Sequence, residues 1–190
     1  AYSYSGNNYS GWPVQNDPTN LPADFNYSTI VKTAFTGLEE THTFDSKHLT
    51  TSIKSNVGAK KVQDKLFDEY NPDKLPVKVT TKTYDDTNNN NFVQAIELAE
   101  YDTKGNIIAS WTPLANGNKS NTEYKTTYVY DLIYSQLKSV SYKQNASTTI
   151  TKTYTLDSGN LHPLAEITTV GSVQKSKTEW GYDTFGNVRS

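Results

Sequence analysis

The chain has 190 residues, enough for one domain of ordinary size, yet only 34% of them are hydrophobic and Tyr alone supplies 14. The formal net charge is −2, with 18 basic residues scattered among 20 acidic ones, so the basic stripe that a nucleic-acid partner demands is missing. Zero Cys excludes disulfides, thiolate metal sites and a Cys nucleophile, and no run approaches the roughly 18 apolar residues of a membrane span.

Low hydrophobicity suits disorder, but disorder goes with few aromatic and β-branched residues, and this sequence is rich in both. Thr, Tyr, Val and Ile on half-exposed faces predict a β-rich, all-β chain. Zero Met makes Ala1 either a processed end or the edge of an excised piece. The fragment reading is preferred, because the chain stops directly after a turn motif with no finishing strand.

In chain order, residues 1–28 carry Pro13, Pro18 and Pro22 among the aromatics Tyr2, Tyr4, Tyr9, Trp12, Phe25 and Tyr27 with no sustained period, which predicts an irregular lead-in. Exposed aromatics amid Ser, Asn and Gly raise Tyr2, Tyr4, Tyr9 and Trp12 as candidate glycan contacts, against the alternative that they plug or cross a wall. The region 29–190 is predicted as antiparallel β-hairpins. Near its start, "HTFDSKH" places His42 and His48 around Asp45; on one strand the two histidines would share a face as a weak metal site, but solvent-facing positions around a turn are the favoured reading, and no metal or other cofactor is predicted.

Within "AKKVQDKLFDEY", Val62, Leu66, Phe67 and Tyr70 recur at near-helical spacing, so one short helix is predicted near 59–70. Val77–Tyr84, 126–130 and 148–154 alternate as half-buried strands do, and Gln94, Ile96 and Leu98 alternate after a loop of four Asn at 88–91. Apolar stretches follow at Ile107–Trp111 and Leu164–Val170.

Between these segments an aromatic–Asp mark recurs. "EYDTKGNIIAS" and "WGYDTFGNVRS" align Tyr101, Asp102, Gly105 and Asn106 with Tyr182, Asp183, Gly186 and Asn187, and Tyr154, Asp157, Gly159 and Asn160 form a stretched copy. Relaxing the pattern gives Asp at 45, 68, 85, 102, 131, 157 and 183, a drifting period of 17 to 29 residues. Asp at the first position of a type I turn accepts backbone N–H bonds, and Gly takes the left-handed position after it. Asn106 and Asn187 are expected to bond back across the loop, with Tyr101 and Tyr182 packing on a neighbouring hairpin. No phosphate loop, G-x-S-x-G elbow or HExxH occurs, so the carboxylates are assigned to turns rather than to acid–base chemistry, and the chain is not expected to be an enzyme.

These marks resemble the YD repeats of the Rhs family, found in bacterial polymorphic toxins, the B and C components of insecticidal Tc toxins, wall-associated proteins and teneurins. The resemblance runs from about Thr41 to Ser190. It implies a spiralling antiparallel sheet that forms part of a hollow shell, a secreted or cell-surface bacterial setting, and as partners the rest of that shell or a partner shell chain and an enclosed polypeptide cargo. The family's autoproteolytic Asp-Pro signature near the end of the shell is absent, so neither cleavage nor toxicity is expected of these residues. A surface adhesion or glycan-binding repeat module is the alternative.

Overall fold

In the computed structural model of the chain, residues 2–6, 25–85 and 90–189 are described, the first five as backbone only. The chain is all-β and antiparallel, with strands separated into two compact units, residues 1–96 and 97–190.

In the first unit β1 (Tyr2–Gly6), β2 (Asn26–Lys32), β3 (Leu38–Asp45), β4 (Thr50–Val57), β5 (Lys60–Tyr70) and β6 (Pro76–Tyr84) pair in sequence order. The register puts Tyr4, Thr29, His42, Ile53, Lys65 and Thr81 in one row across six strands. Strand β7 (Phe92–Tyr101) begins in this unit and ends in the second.

The second unit continues with β8 (Ile107–Trp111), β9 (Lys125–Tyr130), β10 (Leu137–Asn145), β11 (Thr148–Leu156), β12 (Pro163–Val170) and β13 (Val173–Glu179), again in sequence order. Its row reads Glu100, Ala109, Thr127, Ser141, Thr151, Thr169 and Gln174, so four consecutive strands present a hydroxyl side by side. Ser141 and Thr151 are hydrogen-bonded at 3.0 Å through those hydroxyls. A separate two-stranded ladder, β14 (Gly181–Tyr182) with β15 (Val188–Arg189), follows β13.

Two expectations are corrected. Residues 60–70 are the 11-residue strand β5, not a helix. The pairing of β5 shifts opposite Ser55 and Asn56, again between Phe67 and Glu69, and a third time between Glu69 and Tyr70. The pairing passes over Val62 and Asp68 in β5, and the second of these sets the Phe67 and Tyr70 rings against each other at 6.4 Å, an apolar spacing of three that imitates a helix. Residues 2–6, placed in the irregular lead-in, form β1; "YSYSG" alternates Tyr with Ser at the period of a strand, and five residues suffice for an edge. Residues 7–24, with Tyr9 and Trp12, lie outside the described residues.

Burial is thin. Among the described residues no large side chain is fully enclosed. Among the described residues the buried apolar ones, Leu98, Ala109, Trp111, Ala115 and Ala165, belong to the second unit, whereas Ser52, Ser55 and Thr80 are those buried in the first. The 3₁₀ turns Pro113–Ala115 and Thr122–Tyr124 fold a loop over Trp111, whose indole donates to the Lys119 carbonyl at 3.0 Å. No described helix is long and apolar enough to cross a membrane, which says nothing of strands.

Candidate functional site

An antiparallel meander returns to the same end of the sheet at every second turn, and that is where the repeated marks sit. In the first unit the β3–β4 and β5–β6 turns share one end; in the second the β7–β8, β9–β10 and β11–β12 turns do. Each of the five opens on an Asp or Asn.

The Asp102 turn shows the construction. The Gly105 amide donates to the Asp102 carbonyl at 3.1 Å and the Asp102 amide to the Asn106 carbonyl at 2.9 Å, closing a tight loop. One carboxylate oxygen accepts the amides of Lys104 and Asn106 at 2.8 and 2.9 Å, while the other accepts the Asn106 side-chain amide at 2.9 Å. Gly105 takes φ +84°, the left-handed conformation that costs a residue with a Cβ about 1–2 kcal/mol. The Asp183 turn repeats every part, with Phe185 and Asn187 amides on one oxygen, the Asn187 side chain on the other, and Gly186 at φ +82°. The carboxyls are held below the ordinary carboxylate range, Asp102 and Asp183 chiefly by the side chains of Asn106 and Asn187.

The stretched copy differs in register. In 157–162 the left-handed residue is Asn160, at φ +55°, so Asn160 stands where Gly105 does, not where Asn106 does. Gly159 lies one place earlier. Leu161 supplies the amide at 2.8 Å and His162 the side chain, with Nδ1 3.1 Å from the second Asp157 oxygen. These two residues keep the Asp157 carboxyl low, Leu161 first. Leu156 rather than Tyr154 precedes the turn; burial, then a bond with Glu166, raises the Tyr154 hydroxyl's pKa.

Asp131 opens a longer loop and accepts the amides of Ile133, Tyr134 and Gln136, with the Tyr134 contact foremost in lowering its pKa. This turn is tied to the Asp102 turn: the Lys104 ammonium donates to the Leu132 and Ile133 carbonyls, and the Asn106 amide to the Ser135 hydroxyl at 3.0 Å.

Two marks move. Asp68 lies inside β5, accepting the Thr80 hydroxyl at 2.5 Å, and the turn is opened by Asn71, whose carboxamide oxygen accepts the Leu75 amide at 2.8 Å, with Lys74 left-handed at φ +65°. Asp85 opens the loop between β6 and β7, at the opposite end of the sheet. With Asp68 and Asp85 removed and Asn71 added, the openers stand at 45, 71, 102, 131, 157 and 183, and the drifting 17-to-29 spacing becomes 26 to 31 residues. Sequence reading missed Asn71 because the pattern demanded Asp; Tyr70 before it was the available signal.

The residue before the opener clamps backwards. The Tyr70 hydroxyl donates to the Thr50 carbonyl at 2.5 Å and the Tyr182 hydroxyl to the Pro163 carbonyl at 2.8 Å, each reaching the start of the strand that leaves the preceding turn of the row. Burial raises the pKa of Tyr101. The Asp45 turn uses His48 as its left-handed residue, at φ +62°, with Nδ1 2.8 Å from the Tyr27 hydroxyl. His42 lies on β3 and faces Glu40 at 3.8 Å, so the two histidines do not share a strand face. Among the described residues no group of three metal-ligating side chains converges. Tyr2 and Tyr4 lie in β1.

No protein-family model matches the chain, and no curated protein does. Among solved structures it is similar to TcdB2–TccC3 without the hypervariable C-terminal region, at 15% identity over 98% of this chain with a TM-score of 0.43. It is likewise similar to the pore of the Photorhabdus luminescens Tc holotoxin with a mutated TccC3, at 15% identity over 95% with a TM-score of 0.45. The chain spans 11% of the length of each of those chains, and at these scores the likeness stands as likeness alone.

Proposed function

We propose that these residues are a non-enzymatic segment of a wall, a YD-repeat type of shell that encloses or delivers a toxin or effector cargo in a secreted or cell-surface setting. The observation that carries this reading is that the repeated carboxylates serve the backbone. Asp102, Asp157 and Asp183 each accept two or more backbone amides and a side chain. Their lowered pKa values are opposite to what a general acid near neutrality requires.

The turn row and the tyrosine clamps let a sheet extend strand by strand with little core. The hydroxyl row across Thr127, Ser141, Thr151 and Thr169 gives such a wall a polar surface to which an unfolded chain does not adhere. Limited proteolysis of the full-length parent tests the reading. Resistance of this region together with any enclosed segment is expected; digestion as rapid as that of a flexible linker would sink the shell idea.

A further inference from the structure

The carboxamides of Asn71, Asn106, Asn118, Asn145 and Asn187 are bonded within their own turns. Asn116 has no such bond. It caps the 3₁₀ turn Pro113–Ala115 in the left-handed conformation, at φ +50° and ψ +44°, and is exposed. Among the described residues nothing is hydrogen-bonded to its side chain.

Gly117 follows, at φ +71°. The amides on either side of it are engaged: Asn116 donates to the Pro113 carbonyl at 2.9 Å and Asn118 to the Ala115 carbonyl at 3.0 Å. The Gly117 amide between them has no acceptor among the described residues. Asn followed by Gly occurs once in the 190 residues. An unbonded carboxamide therefore adjoins an unbonded amide nitrogen on a residue with no Cβ to shield it. Two groups tethered this closely react without an enzyme, because the encounter is already made.

We propose that Asn116–Gly117 is a self-modification site, at which the chain deamidates through a cyclic imide and loosens its own loop over Trp111. The Gly117 nitrogen attacks Asn116 Cγ. The N–Cγ bond forms, the Cγ–Nδ2 bond breaks, and Nδ2 leaves as ammonia with the proton given up by the Gly117 nitrogen. Water then opens the imide, with nothing oxidised or reduced. Addition at Cγ breaks the new bond and leaves an aspartyl residue. Addition at the Asn116 carbonyl carbon breaks its bond to the Gly117 nitrogen and reroutes the main chain through Cβ and Cγ, an isoaspartyl residue.

Ring closure turns Asn116 away from ψ +44°, so the Asn118 amide must release the Ala115 carbonyl, the local opening of one exposed turn. The isoaspartyl product carries an extra main-chain carbon between Ala115, which is buried, and Lys119, whose carbonyl accepts the Trp111 indole at 3.0 Å. Both contacts were set by the shorter chain, so the longer one strains the loop's hold on the indole.

Peptide mapping by mass spectrometry, on the folded 190-residue chain aged at neutral pH and physiological temperature, tests this. Replacement of NH₂ by OH is expected at position 116 at least about tenfold faster than at Asn118 or Asn145, which are also exposed. The Trp111 indole N–H, followed by NMR, should exchange faster in the isoaspartyl fraction than in fresh chain. Asn116→Gly accepts the left-handed conformation without a carboxamide, and its indole protection should survive ageing unchanged. The inference is overturned by equal conversion at Asn116, Asn118 and Asn145, by an isoaspartyl chain whose indole exchanges as in fresh chain, or by the same loss of protection in aged Asn116→Gly.

Discussion

The two units use one turn grammar on two different supports. In the first, Ser52, Ser55 and Thr80 are buried, and the ladders are braced by surface aromatics: Tyr27 stacks on Phe44 at 5.0 Å, Tyr84 meets Phe92 edge-on at 5.7 Å, and Lys61 and Lys82 lie over those two rings at 5.1 and 4.8 Å. In the second, Trp111 is 3% exposed, pairs with Leu98 across the ladder and is held to its own loop by the bond to the Lys119 carbonyl, with Ala109 and Ala115 also buried. The turns that open on Asp45 and Asn71 differ as well: they use His48 and Lys74 at the left-handed position, with Gly37 and Gly58 left-handed in other turns of the first unit, where the second unit's row has Gly105 and Gly186 beside Ser135 and Asn160. Among the described residues, the ladders of the first unit are thus braced by cross-strand rings and hydrogen bonds, and those of the second by an indole anchor as well.

The anchor offers the largest contrast. Trp111→Ala is expected to destabilise the second unit by about 3–5 kcal/mol, and hydrogen exchange should show its amides opening before those of the first unit; equal loss in both would break the distinction. Gly105→Val places a β-branched residue at φ +84° and should cost about 1–3 kcal/mol, read as a shift in denaturation midpoint. Asn71→Ala, which removes the acceptor of the Leu75 amide, should cost about 1 kcal/mol, measured in the same way. In the opposite direction Lys74→Gly relieves a left-handed non-glycine and should stabilise by up to about 1 kcal/mol, with a raised melting temperature as the readout.

Acid acts on the second unit through its lowered carboxyls. Asp102, Asp131, Asp157 and Asp183 titrate below the ordinary value in the folded chain. Their contribution is complete above the unfolded carboxylate pKa of about 3.9 and is lost as pH falls through the lower folded values. Exchange protection in the second unit should therefore hold at pH 5 and decline below about pH 4, with Asp102→Asn flattening the decline.

Much of this fold was legible because its signals are local. Ile107–Trp111 is β8 to the residue, and Val77–Tyr84 lies within β6, since alternation persists wherever pairing is regular. The Asp–Gly turns of 102–105 and 183–186 were equally readable, because left-handed geometry and a short acceptor leave a composition mark. What failed depended on partners elsewhere in the chain. The phase of β5 is reset by irregular pairing with its neighbours, and Asp68 looks like a turn opener until Thr80 is seen beside it. Asn71 shows that the physical requirement is an oxygen acceptor on a short side chain, which Asn meets as Asp does. The tie from Lys104 to Leu132 and Ile133 joins residues almost thirty apart and leaves no mark in the sequence.

The central claim is that the repeated Asp residues hold the backbone turns, and that the Asp102 turn is tied to the Asp131 turn through Lys104 and Asn106. Amide hydrogen exchange by NMR on wild type and Asp102→Ala tests it most directly. The amides of Lys104 and Asn106 should lose protection in the variant, and those of Ile133 and Gln136 should lose part of theirs through the released Lys104 and Asn106 side chains. Unchanged protection at all four amides would contradict the claim.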